Sequence, residues 1–145
     1  MADVLVQGVA VPYLMPRTID DSGRRCVAVS RGAFNASIAA GRVGLWIDHD
    51  ESLRVQQQGI GKFTLIERED RLLFSALISE PRWVALLGNL PASKRRGVSV
   101  AWKRETAVCE PRDGYELVTR AELVEVSLLL NQEPRFPGTE FRVSV

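Results

Sequence analysis

The sequence predicts a single mainly β (α+β) domain over residues 1–145: a closed or nearly closed antiparallel β-barrel of about seven strands, with helices flanking its outside. Three observations carry this. The chain has 145 residues, the length of one domain that buries a core without cross-links. Short β-branched, apolar or alternating runs recur along it, punctuated by Pro, Gly and Asp clusters. Only two segments switch to helical periodicity. A mixed α+β sandwich is the competing architecture.

In chain order, Val4–Val11 reads as a first strand, with a possible bend at Gly8, and Pro12 and Pro16 end it. Thr18–Gly23 is a polar turn cluster, and strand character resumes over Arg25–Val29. Ser30 is an N-cap candidate for a short helix with Phe34, Ile38 and Ala39 on one face, closed by Gly41. Val43–Ile47 is apolar enough to be buried on both faces, and Asp50–Gln58 is polar and reads as a loop. Ile60–Glu67 and Leu72–Ile78 form a hairpin about Arg68–Arg71. Pro81 opens a second helix whose apolar stripe is Trp83, Leu86, Leu87 and Leu90. A strand over Gly97–Trp102 follows, then a polar excursion, Cys109–Gly114, before strands at Tyr115–Val118 and Ala121–Leu130. Pro134, Pro137 and Gly138 mark a last loop before a terminal strand, Glu140–Val145.

Composition narrows the function. Apolar residues make up 46% and charged residues 26%, the balance of a globular protein. The net charge of +1, from 19 basic and 18 acidic residues, argues against direct nucleic-acid binding. Cys26 and Cys109 have no CxxC spacing and build neither a disulfide framework nor a zinc site, so a reducing compartment is expected. The start lacks a basic region followed by an apolar one, and no run approaches the roughly 20 apolar residues that span a bilayer; a soluble chain with no membrane partner is expected. Gly59-Ile60-Gly61-Lys62 lacks the spacing of a phosphate loop. No cofactor is expected. The three tryptophans, Trp46, Trp83 and Trp102, read as core or interface anchors.

Chemistry concentrates in three strands. Leu45-Trp46-Ile47-Asp48-His49-Asp50 presents the only histidine of the chain between two carboxylates. Neighbouring strand residues face opposite ways, so these three do not converge on one ion, and no metal is expected. Gly97-Val98-Ser99-Val100 carries one hydroxyl among apolar neighbours. Leu123-Val124-Glu125-Val126-Ser127-Leu128 carries a carboxylate whose burial costs several kcal/mol unless it is paired. Three strands each carrying one polar side chain of complementary type suggest a base, a nucleophile and an orienting acid in His49, Ser99 and Glu125. His49 also reads as a hydrogen-bonded histidine at a strand end, and the isolated Ser99 as a small strand residue bonded to a neighbouring carbonyl. Ser127 is the fallback nucleophile, Glu122 an exposed comparison, and Asp48 or Asp50 alternative orienting acids. Lys94-Arg95-Arg96 is read as a solvated basic loop, or else as an acidic-substrate contact or self-cleavage site.

In order and spacing these pieces resemble the prohead (capsid maturation) serine proteases of tailed bacteriophages. The resemblance rests on Gly8-Val9-Ala10-Val11-Pro12-Tyr13, Arg31-Gly32-Ala33-Phe34, Leu45–Asp50, Gly59-Ile60-Gly61, Gly97–Val100 and Leu123–Leu128. That family is similar in fold to herpesvirus assemblins, β-barrel proteases flanked by helices. The resemblance implies catalysis by His49, Ser99 and Glu125, and a role for the Arg135 region at the oxyanion. It implies cleavage of phage scaffold and major capsid protein, and of the protease itself, inside an assembling procapsid in the host cytoplasm. The same likeness implies a homodimer paired through a helix, for which the Trp83–Leu90 stripe is a candidate, although that stripe would serve equally well to cover the barrel. The chain departs from the family at Ala101, where glycine is usual, and at Asn131-Gln132-Glu133-Pro134, where an asparagine-proline-alanine turn is usual. These departures motivate the alternative of a catalytically inactive homologue that binds capsid or scaffold protein as an assembly factor.

Overall fold

The computed structural model describes residues 2–18, 25–59 and 62–145. The chain runs β1 (Val4–Pro12), β2 (Arg17–Thr18), β3 (Cys26–Val29), α1 (Asn35–Ala40), β4 (Gly44–Ile47), β5 (Asp50–Gln57), β6 (Lys62–Glu67) and β7 (Arg71–Ile78). It continues through α2 (Pro81–Gly88), a 3₁₀ turn at Ala92–Lys94, β8 (Gly97–Arg112), β9 (Tyr115–Leu129) and β10 (Phe141–Ser144). Among the described residues no helix is long and apolar enough to cross a membrane.

Among the described residues the predicted barrel does not form. The strands make two open sheets, one antiparallel in the order β10-β1-β7-β6 and one mixed in the order β2-β3-β9-β4-β5, with β8 also on β9. Strand count alone led to a closed architecture, but pairing direction decides otherwise. β3 and β4 are joined through α1 and both run parallel to β9, at Val27↔Glu116 and Gly44↔Glu125. Antiparallel β8 takes the other edge of β9. Between β3 and β4 the edge of β9 is finished by the connector: Ala121 N–H donates to the Ala33 carbonyl (3.0 Å) and Leu123 N–H to Ser37 Oγ (2.9 Å). The buried core includes Val6, Val29, Leu45, Phe74, Val98 and Leu128 from the strands and Leu87 from α2.

Most predicted elements stand, with shifted ends. The strands near Val4–Val11, Arg25–Val29 and Glu140–Val145, the β6–β7 hairpin and both helices are present. α1 starts at Asn35 behind a Phe34 cap rather than at Ser30, and Gly41 closes it in the left-handed conformation. The helix α2 begins at Pro81 and buries Trp83, Val84 and Leu87, whereas Leu86 stays 41% exposed. Asp50–Gln57 is a strand, not a loop. It is a mostly exposed sheet edge, where charged side chains replace the apolar alternation that marks a buried face. The supposed excursion at Cys109–Gly114 is the tip of the long β8–β9 hairpin, turned by Asp113-Gly114. That dipeptide is itself a hairpin signal. Most of the Thr18–Gly23 turn cluster lies outside the described residues, as do Ile60 and Gly61.

Two other segments of the resemblance meet at one carboxylate. Glu67 Oε1 accepts from the Tyr13 hydroxyl (2.9 Å) and from Gly32 N–H (2.5 Å), tying the end of β1 to the approach of α1. Burial, then the hydrogen bond to Glu67, holds the Tyr13 hydroxyl above its ordinary pKa.

Candidate active site

The histidine is carried on a hairpin turn rather than at the end of a strand. Ile47 pairs with Asp50, and the two residues between them, Asp48 and His49, have φ of 50° and 59°. Two successive positive φ values are the mark of the tight turn that best matches strand twist. Each costs a residue with a Cβ about 1–2 kcal/mol, strain typical of sites over-determined by their surroundings. The turn is bound to β9, where His49 N–H donates to Ser127 Oγ (3.0 Å) and Asp48 N–H to the Leu128 carbonyl (3.0 Å).

Register brings the other groups to the same place. On β9, Glu125 and Ser127 are two apart and share a face; across β8 they oppose Ala101 and Ser99. Glu125 is 1% exposed. Its Oε1 lies 2.5 Å from His49 Nδ1, and its Oε2 accepts from Ser127 Oγ at 2.5 Å. Both oxygens of the buried carboxylate are thus partnered, as a charge in that setting requires. The His49 ring, 33% exposed, has its pKa raised chiefly by the hydrogen bond to Glu125; burial works the other way, while Asp48 adds to the rise and Arg135 opposes it. With Nδ1–H donating to Glu125, the tautomer set by the network leaves Nε2 free to take a proton.

Ser99, 8% exposed, lines a cavity of about 220 Å³ together with His49, Trp102, Arg104, Arg135 and Phe136. Among the described residues no hydrogen bond joins the Ser99 hydroxyl to the His49 ring. Such contacts are often long without substrate and tighten once it binds. The loop carrying Arg135 and Phe136 packs against the start of the serine strand at Gly97, whose φ is 150°. A Cβ there would stand 2.8 Å from Pro134 Cγ and 3.0 Å from the Thr139 carbonyl oxygen. Only glycine lets the two segments approach this closely.

The remaining candidates resolve by position. Ser127 is fully buried with its hydroxyl committed to Glu125, so it is placed to support the carboxylate and not to attack a substrate. Glu122 pairs with Lys103 on the surface (3.3 Å). Asp50 binds Ser52, and Asp48 faces residues 130–131, so neither orients the imidazole. Of the basic run, Arg96 donates to the Leu130 carbonyl (3.1 Å) and to Glu133 (2.5 Å). Among the described residues no three His, Cys, Asp or Glu side chains converge as a metal ligand set. Sequence reasoning missed the work of Asp48 and Ser127. Ser127 was legible in part, since it alternates with Glu125, whereas nothing in the sequence pairs Asp48 with residues some eighty positions away.

No family model matches the chain, and no curated protein matches it either. Its fold, however, is that of an assemblin, a herpesvirus protease. One similar solved structure is the KSHV protease in complex with a hexapeptide phosphonate inhibitor, at a TM-score of 0.57 and 13% identity over 99% of this chain. The chain spans 66% of that protease's length. The likeness in fold therefore stands although neither sheet closes.

Proposed function

We propose that the chain is a serine endopeptidase of the capsid-maturation kind, with Ser99 as nucleophile, His49 as general base and Glu125 as the acid that orients it. The observation that carries this is the buried Glu125 carboxylate 2.5 Å from the only imidazole, beside a cavity that Ser99 also lines. In the reaction, Ser99 Oγ attacks the scissile carbonyl carbon as its proton passes to His49 Nε2, and Glu125 stabilises the imidazolium. The C–N bond then breaks as Nε2 returns the proton to the leaving amine. Water, deprotonated by the same nitrogen, hydrolyses the acyl-enzyme and frees Ser99. Backbone N–H groups of Gly97–Ser99 or the Arg135 guanidinium serve the oxyanion.

The resemblance to phage prohead proteases supplies the setting: scaffold and major capsid protein as substrates, inside an assembling procapsid in the host cytoplasm, by a homodimer. The second reading, an inactive homologue that binds those proteins as an assembly factor, is favoured by the missing Ser99–His49 hydrogen bond and by Ala101 in the cavity wall. A peptide phosphonate separates the two. The peptidase gains the mass of one phosphonyl group on Ser99, and Ser99→Ala gains none. Folded wild-type protein that stays unmodified at high probe concentration overturns the peptidase and leaves the binder.

A further inference from the structure

Asp48 commits both carboxylate oxygens and its carbonyl to one short segment. Its Oδ1 accepts from Leu130 N–H (2.9 Å) and Asn131 N–H (3.2 Å), its Oδ2 from Asn131 Nδ2 (2.9 Å), and its carbonyl from Gln132 Nε2 (3.0 Å). The same segment is held from its other side by Arg96, through the Leu130 carbonyl and Glu133, at the foot of the serine strand. A few residues on, the chain delivers Arg135 and Phe136 to the cavity wall. His49, next to Asp48, is the second residue of the same left-handed turn, and Asp48 pins that turn from one side while Ser127 pins it from the other.

We infer that Asp48 is a positioning residue: its carboxylate clamps the histidine turn to residues 130–131, so that the His49–Glu125 pair and the Arg135–Phe136 wall move as one unit. Substrate that seats against this wall then sets the imidazole through the clamp, without touching it. The inference rests on reading the site as a peptidase, and it gives Asp48 work distinct from the orienting role that Glu125 fills. Displacements as small as about 1 Å in such a unit cost up to about a hundredfold in rate.

The sole histidine gives the test a direct readout, because its imidazole signals in an NMR titration are unique. Asn131→Ala removes one clamp donor from an exposed side chain and leaves the Asp48 charge in place. Asp48→Gly removes the carboxylate clamp, keeps the carbonyl that accepts from Gln132, and suits the positive φ. In Asn131→Ala the His49 midpoint is expected to fall toward the ordinary imidazole value, and Ser99 phosphonylation to slow about tenfold. In Asp48→Gly the slowing is expected to approach a hundredfold. Folded Asn131→Ala with an unchanged midpoint, or folded Asp48→Gly with an unchanged labelling rate, overturns the inference and leaves Asp48 as a seal on the end of β9. Wild-type protein that resists the phosphonate sinks the peptidase reading alone; the Asn131→Ala titration still decides the clamp.

Discussion

Glu125→Gln is expected to leave the protein folded and, on the proposed peptidase reading, to lower the rate roughly 10³–10⁴-fold, the loss that follows when an orienting carboxylate becomes its neutral isostere. The amide keeps the shape and can still accept from Nδ1–H. It no longer stabilises the imidazolium, and its NH₂ meets a Ser127 hydroxyl that donates to the carboxylate in the wild type. The pH dependence carries the sign of the effect. On the proposed assignment neutral His49 is the base, so wild-type activity is expected to fall as the pH drops through a midpoint lying above the ordinary imidazole value. Removing Glu125 removes the largest cause of that rise and lets burial dominate, so the acid limb shifts to lower pH even as the plateau collapses. Stability follows the converse rule. A raised folded-state pKa contributes fully below the unfolded value and is lost as the pH climbs through the folded one. A wild-type acid limb that does not move in Glu125→Gln would show that the pair does not set the base.

Gly8→Ala is expected to cost about 3 kcal/mol or more and to lower Tm by about 10 °C. A Cβ at Gly8 would stand 2.0 Å from the Glu140 carbonyl oxygen and 2.9 Å from the Phe141 Cα, both backbone atoms with no freedom to swing aside. The Glu140 carbonyl accepts from Val9 N–H (2.9 Å), and Phe141, buried at 4% exposure, pairs with Gly8 itself. Relief therefore requires β10 to leave β1, exposing the phenyl ring and breaking the ladder. Thermal melts check the magnitude, and a wild-type Tm would show that the edge yields without cost. The active-site turn lies on the other sheet, so phosphonate labelling below the melt should persist.

Gly8 also illustrates what the sequence hides. Read along the chain it looks like a bend in a strand, whereas its real constraint is a strand more than 130 positions away. The same holds at the site. Burial of Glu125 was legible because a carboxylate amid Val, Leu and Ser needs a partner, and the solitary histidine was the natural one. The clamp at Asp48 was not, because a turn aspartate looks the same whether it faces water or a distant backbone. Local periodicity exposed β7, α2 and the β6–β7 hairpin. It failed at β5, where a solvent edge has no apolar alternation, and at β8, whose polar outer half continues a strand that begins in the core. Sheet closure was misjudged because strand number says nothing of pairing direction; the helix between β3 and β4 was the available sign of a parallel crossover.

The shared strand β9 has a kinetic consequence. Its partner β8 is adjacent in sequence, so that hairpin can zip early, but its opposite edge waits for segments roughly eighty to ninety residues upstream to dock. The amides of Val126 and Leu128, sealed on both sides, should be the slowest in the chain to exchange with deuterium. His49 and Glu125 do not meet until this last seam closes, so on the proposed peptidase reading the base is assembled only once the fold is complete.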